Sequence, residues 1–168
     1  MKRVTNKQKG FTLIEVITVL VLVGMIGIGA VTYVIKVTEA QVFTRNNATT
    51  IQKGQVAMMQ MVKVLTNASM SSITAADGYS ISFTSPTKDQ GTINFTITRP
   101  GNTGNTISIN GITLTDQVSD FELKYYRTHD TGPVAWEPGM SVIVGIRMVL
   151  ESNGVDCPFE ARVKPRNL

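Results

Sequence analysis

The chain opens on a short polar stretch and then turns continuously apolar. After Phe11-Thr12-Leu13-Ile14-Glu15, twenty uncharged residues run from Val16 to Ile35 and end at Lys36. Twenty residues of helix at ~1.5 Å each reach about 30 Å, the thickness of a bilayer's hydrocarbon core. A strand of that length has no place in a globular sheet, and a soluble helix would be apolar on every face. The segment reads as a membrane-spanning helix. An ordinary cleaved secretory signal does not fit, because the apolar run is too long and Ala30-Val31-Thr32-Tyr33 is a poor cleavage site.

Beyond Lys36 polarity rises, but helix breakers stay rare until Asp77-Gly78. Ile51, Met58, Val62, Leu65 and Ile73 recur at spacings that give one helical face. The run Gln55–Leu65 is rich in helix formers. A continuous helix from Phe11 to about Ala75 would measure ~95 Å. Gly54 and the Asn46-Asn47 pair weaken its middle, where a bend or fraying is expected. The methionines Met58, Met59, Met61 and Met70 form a stripe that reads as core against a sheet rather than as a promiscuous binding surface.

From Tyr79 the period changes to two. Tyr79–Phe83, Thr92–Ile97, Thr106–Ile109 and Val118–Tyr126 alternate apolar with polar residues, and Ser141–Leu150 is a longer apolar strand. Asn110-Gly111 and Asn153-Gly154 have the composition of tight type I′ hairpin turns, the second leading to a last strand at Pro158–Val163. Strands joined by short turns without intervening helices form an antiparallel sheet. The expected fold class is α+β, one long N-terminal helix laid on a meander sheet.

Charge sharpens this picture. The formal net charge is +4, and Lys2, Arg3, Lys7 and Lys9 account for all of it, because the remainder carries twelve residues of each sign. The basicity is a terminal tag, so no basic domain exists to grip phosphates and no nucleic-acid partner is expected. Cations before the apolar run favour a cytoplasmic N-terminus and place the bulk of the chain outside the cytoplasm.

Little else is chemically suggestive. One cysteine, Cys157, rules out an intrachain disulfide framework and a cysteine metal cluster. One histidine, His129, rules out a two-histidine metal site. His129 next to Asp130 does not make a hydrolase: adjacent residues seldom face each other, and no serine sits in a Gly-x-Ser-x-Gly turn. Asp116, Asp120 and Glu122 lie in a strand-like segment that reads as a solvated face, without a calcium-loop pattern. Trp136 is either an exposed contact residue or a loop plug onto the sheet. No enzyme activity, cofactor, metal or small-molecule substrate is expected.

Glu15 is the unusual residue. A carboxylate costs ~2.5–3.5 kcal/mol at mid-bilayer and less towards the interface, so it usually has a partner. It either snorkels to the headgroups or pairs with a cation, and cleavage next to Phe11 would create such a cation in a new α-amino group.

Lys7-Gln8-Lys9-Gly10-Phe11-Thr12-Leu13-Ile14-Glu15-Val16, followed by the apolar run, resembles the class III signal of type IV pilins and type II secretion pseudopilins. The resemblance covers residues 7–35, and Gly24 sits where pilin stems often have glycine. It implies that a prepilin peptidase cuts between Gly10 and Phe11 and that Phe11 is N-methylated. It also implies that Glu15 pairs with the new amine of an adjacent subunit during assembly. The implied organisation is a cleaved leader at 1–10, a membrane and filament-core helix at 11–35, an amphipathic continuation at 36–76 and a β head at 77–168. The implied partners are the peptidase, the membrane and other pilin or pseudopilin subunits. The localisation is the cytoplasmic membrane, with the head extracytoplasmic, and then the pilus or pseudopilus.

Two features bear on the kind of subunit. Many major pilins have a proline late in the apolar helix, whereas this chain has Thr32 and no proline before Pro86. The segments Asp116–Tyr126, Val142–Leu150 and Phe159–Leu168 resemble minor pseudopilins of the J class and minor pilins of the W class. The alternatives are an uncleaved single-pass membrane protein with a binding head, and an adhesin or DNA-uptake minor pilin. Replacing Leu20 with Arg is expected to block membrane insertion or assembly, seen as loss of the chain from the membrane or filament fraction.

Overall fold

The computed structural model describes residues 10–73, 75–86, 91–101, 103–129, 132–137, 140 and 143–166. The basic residues Lys2, Arg3, Lys7 and Lys9 and the acid Asp130 lie outside the described residues. The chain divides into two compact units, one reaching to Thr44 and one starting at Arg45. Helix α1, Leu13–Thr66, runs through both.

In the first unit α1 has no tertiary cover: from Gly10 to Thr44 every residue is exposed. Its hydroxyls are satisfied within the helix. Thr18 donates to the Ile14 carbonyl at 2.8 Å, Thr32 to Ile28 at 2.9 Å and Thr38 to Val34 at 2.9 Å. Such back-bonding lets threonine sit in an apolar helix without an unmet polar group.

The second unit has two antiparallel sheets. Strands β1 (Ala75–Ala76), β2 (Ser80–Pro86), β3 (Thr92–Thr98), β4 (Ile107–Ile109) and β5 (Ile112–Thr115) pair in chain order as one sheet. Strands β6 (Val118–Tyr126), β7 (Ile143–Ser152) and β8 (Val155–Val163) pair in order as the other. Both expected hairpin turns are present with left-handed backbones: Asn110 and Gly111 at φ 51° and 78°, Asn153 and Gly154 at 52° and 74°. Two consecutive positive φ values are what a type I′ turn requires.

The alternation in the sequence suggested a single meander, and the structure differs. Between β5 and β6 only Asp116 and Gln117 intervene, and Gln117 has φ 61°. That left-handed residue ends the first sheet. The free edge of β6 meets single bonds rather than a ladder, from Leu123 N–H to the Gly78 carbonyl (2.8 Å) and from Val134 N–H to the Tyr125 carbonyl (2.8 Å).

The helix also ends earlier than about Ala75, at Thr66, followed by a 3₁₀ turn at Met70–Ser72. No glycine marks this end. The Thr66 carbonyl accepts from Arg166 N–H at 2.9 Å, and the Asn67 carbonyl accepts from the Ser85 hydroxyl at 3.0 Å. Partners remote in sequence thus satisfy carbonyls that a helix end leaves orphaned.

Around the expected weak point α1 stays helical, and Gly54 is one of its buried residues, with Thr50, Ala57, Met58, Met61 and Leu65. A Cβ on Gly54 would run into the Phe159 ring of β8 and come within 3.0 Å of Leu150 Cδ1 of β7. The glycine is a site of close approach rather than of fraying. The methionine stripe divides accordingly. Met58 and Met61 join the core with Phe83, Phe121, Ile146 and Met148, while Met59 is 69% exposed. Of the expected helical face, Ile51 is exposed and Ile73 lies beyond the helix, although it is buried.

Alanine normally stabilises a helix over glycine by about 1 kcal/mol. At Gly54 the sign should reverse, with Gly54→Ala destabilising the fold by about 1–3 kcal/mol through overpacking. Thermal unfolding of the full chain in detergent measures this, and a raised midpoint would refute the close-approach role.

Candidate functional site

Of the N-terminal segment singled out by the sequence, the described part starts at Gly10. Gly10 and Phe11 precede the helix, and Phe11 is 82% exposed. Thr12 caps α1: Glu15 N–H lies 3.1 Å from the Thr12 carbonyl and 3.4 Å from its hydroxyl oxygen. Thr12-x-x-Glu15 is the sequence form of a capping box, a signal that the family resemblance had obscured. Glu15 therefore stands in the first helical turn, where the positive end of the helix dipole favours a carboxylate. After it, α1 carries no charged side chain until Lys36, which forms an exposed pair with Glu39 at 3.0 Å.

The apolar face has nothing against it. The most apolar 18-residue window of α1 has a mean hydropathy of 2.5 and is 0% buried, so the helix is long and apolar enough to cross a membrane. A Cβ on Gly24, Gly27 or Gly29 would meet open space, so these glycines have no packing role within the chain.

In the second unit the acidic residues separate. Asp116 is not on the β6 face but in the turn before it, where Lys53 of α1 reaches its carboxylate at 2.8 Å. The Lys53 hydrogen bond holds the Asp116 carboxyl below its ordinary value near 3.8, against a smaller opposing effect of burial. Asp120 takes Arg147 at 2.8 Å, and Glu122 takes Lys124 at 3.0 Å. The hydrogen bond from Lys124 to Glu122 raises the lysine's pKa. Each of the three is committed to a cation. Among the described residues no cluster of three metal-ligating side chains occurs.

His129 is exposed and offers only its carbonyl, 3.3 Å from Arg162. Trp136 resolves as a plug, half-buried against the core with its ring edge-on to Tyr125 at 5.2 Å. The Tyr125 hydroxyl donates to the Asp77 carbonyl at 2.9 Å, and burial, with a smaller contribution from the Asp77 charge, raises its pKa. Cys157 is half-buried and unbonded.

Sequence reasoning passed over Arg99. It is 4% exposed, donating through Nε to the Gly104 carbonyl at 2.6 Å and through Nη2 to the Ser119 carbonyl at 3.1 Å, with Asp120 4.0 Å away. A buried arginine of this kind clamps a loop to β6. Arg99-Pro100-Gly101 reads locally as a loop, and nothing in it signals the clamp.

Because the folded state holds Asp116 below its ordinary pKa, its pairing energy is present above about pH 4 and is lost as pH falls through the lower folded value. Both partners are largely exposed, so the contribution is about 0.5 kcal/mol or less. Lys53→Gln should lower the unfolding midpoint slightly at pH 6 and lose that difference near pH 2. A difference that persisted in acid would mean that Lys53 acts through packing.

Residues 5–31 match the family described as the prokaryotic N-terminal methylation motif. No curated protein and no solved structure matches the chain. The chain thus joins a class III N-terminal methylation motif to a pilin-like α+β fold.

Proposed function

We propose that the chain is a minor prepilin-like subunit, made in the cytoplasmic membrane and assembled into a type IV pilus or type II secretion pseudopilus. One observation carries the reading. An apolar helix without tertiary cover begins with Glu15 in its first turn, four residues after the Gly10-Phe11 junction. The stem has two environments that can close its surface, lipid tails and the stems of other subunits. A charge at its start is costly in either, unless paired.

Cleavage between Gly10 and Phe11 by a prepilin peptidase removes the basic leader and frees an α-amino group at Phe11, which is then methylated. A secondary amine of this kind stays cationic, so it can pair with Glu15 of a neighbouring stem. The pairing removes an unpaired carboxylate from an apolar setting and fixes the axial register between stems. Within one stem, Glu15 already sits at the positive end of its own helix, so the carboxylate is oriented before a partner arrives.

The leader's cations place the N-terminus on the cytoplasmic side and the β head on the other. The minor assignment, with a priming or tip position, rests on sequence: Thr32 in a helix without proline, a single cysteine unable to close a disulfide loop, and the resemblance of residues 116–168 to J-class and W-class subunits.

Mass spectrometry of the chain from its native membrane should find an N-terminus at Phe11 bearing one added methyl. A chain starting at Met1 would remove the amine that Glu15 needs and overturn the reading. Glu15→Ala should be processed normally yet incorporate poorly into filaments, and normal incorporation would refute the pairing.

A further inference from the structure

In the second unit, α1 leaves part of the first sheet uncovered. The face of that sheet turned to α1 buries Ile81, Ile97 and Ile107 completely, yet Ile112 on the same face is 74% exposed. Phe95, Ile109 and Leu114 are only partly buried. Together with Gln60, Lys63 and Val64 of α1 they line a groove of about 480 Å³. Five strands at ~4.8 Å span about 19 Å, whereas one helix is ~10 Å wide. The sheet offers more apolar face than the second half of α1 can cover. The neighbouring surface of α1 is apolar as well, with Val56 54% and Met59 69% exposed.

We infer that this groove docks an amphipathic helix of a different subunit, one carrying an acidic residue opposite Lys63. A helix suits the site better than a strand. The floor is the layer on which α1 itself lies, and an apolar sheet face is ordinarily closed by a helix. The edge of β5 is a poor template for a strand, being four residues long and irregularly paired with β4, where the register shifts between Ile107 and Ser108.

Charge identifies the class of partner. Lys63 is exposed and, among the described residues, is the only ionisable group lining the groove. Among the described residues no carboxylate pairs with it. A second copy does not complement it. Residues 40–76 hold Arg45, Lys53 and Lys63 and no acid, and upstream Glu39 is already paired with Lys36. An acidic helix from another chain supplies both the apolar cover and the missing charge.

The inference rests on the assembly reading only for the presence of a partner subunit. The test incorporates p-benzoylphenylalanine in place of Ile112 in the full chain in its native cells, with Leu20 labelled likewise in a parallel strain. After irradiation, mass spectrometry maps each adduct to a residue. At Ile112 the main adduct should fall on an apolar position of a helix in a different subunit, with Asp or Glu three or four residues away. Lys63→Glu should lower its yield roughly fivefold, and changing the partner's acid to Lys should restore it.

An Ile112 adduct to a second copy, to an extended segment or to lipid would overturn the inference, as would no adduct. Subunit adducts at Leu20 without the expected one at Ile112 refute this inference alone. The expected adduct at Ile112 without subunit adducts at Leu20 supports it while refuting assembly through the stem.

Discussion

The packed unit depends on how closely the backbone of α1 approaches the β7–β8 hairpin. The buried stripe of the helix begins with Thr50, Gly54 and Ala57, small side chains that leave room for Phe159 and Leu150. Further along, Met58, Met61 and Leu65 belong to the same buried core as Phe83, Phe121 and Ile146. A larger residue at Gly54 would push the helix away from β8 and open a gap under every later contact. Because close packing is what makes such a core stable, the register of helix on sheet is set here.

Polar groups hold the edges of the same unit. The buried Thr50 hydroxyl meets the Asn46 carbonyl and the Gln117 amide, each at 3.1 Å. Arg99 ties the loop after β3 to β6, and the segment after β8 returns to cap α1 at Thr66. Among the described residues no buried side-chain nitrogen or oxygen lacks a hydrogen-bond partner. Net stability from each such bond is modest, but a lost partner would leave a costly unsatisfied group.

The first unit obeys a different physical rule. Its polar backbone and threonine hydroxyls are satisfied internally, and its apolar surface is left to whatever surrounds it. This division suits either lipid tails or other helices as surroundings, because both environments ask for an apolar surface and neither can satisfy stray polar groups. It also explains why Glu15 is conspicuous: after the cap, it is the one charge before Lys36.

What the residue order determined on its own were the local features. Chief among them were the apolar run, the Gly10-Phe11…Glu15 pattern, two Asn-Gly hairpins and most strands, with β6 matching its alternation from Val118 to Tyr126. Each depends on neighbours within a few residues, through periodicity, turn geometry or a short motif. Tertiary structure alone decided where α1 ends, why Gly54 is there, where the sheet divides and which carboxylate meets which cation. Arg166 capping Thr66, Phe159 over Gly54, Lys53 at Asp116 and Arg99 at Ser119 all join residues far apart in sequence. Local pattern carries no record of such partners, because their energy comes from contacts that exist only once the chain has folded back on itself.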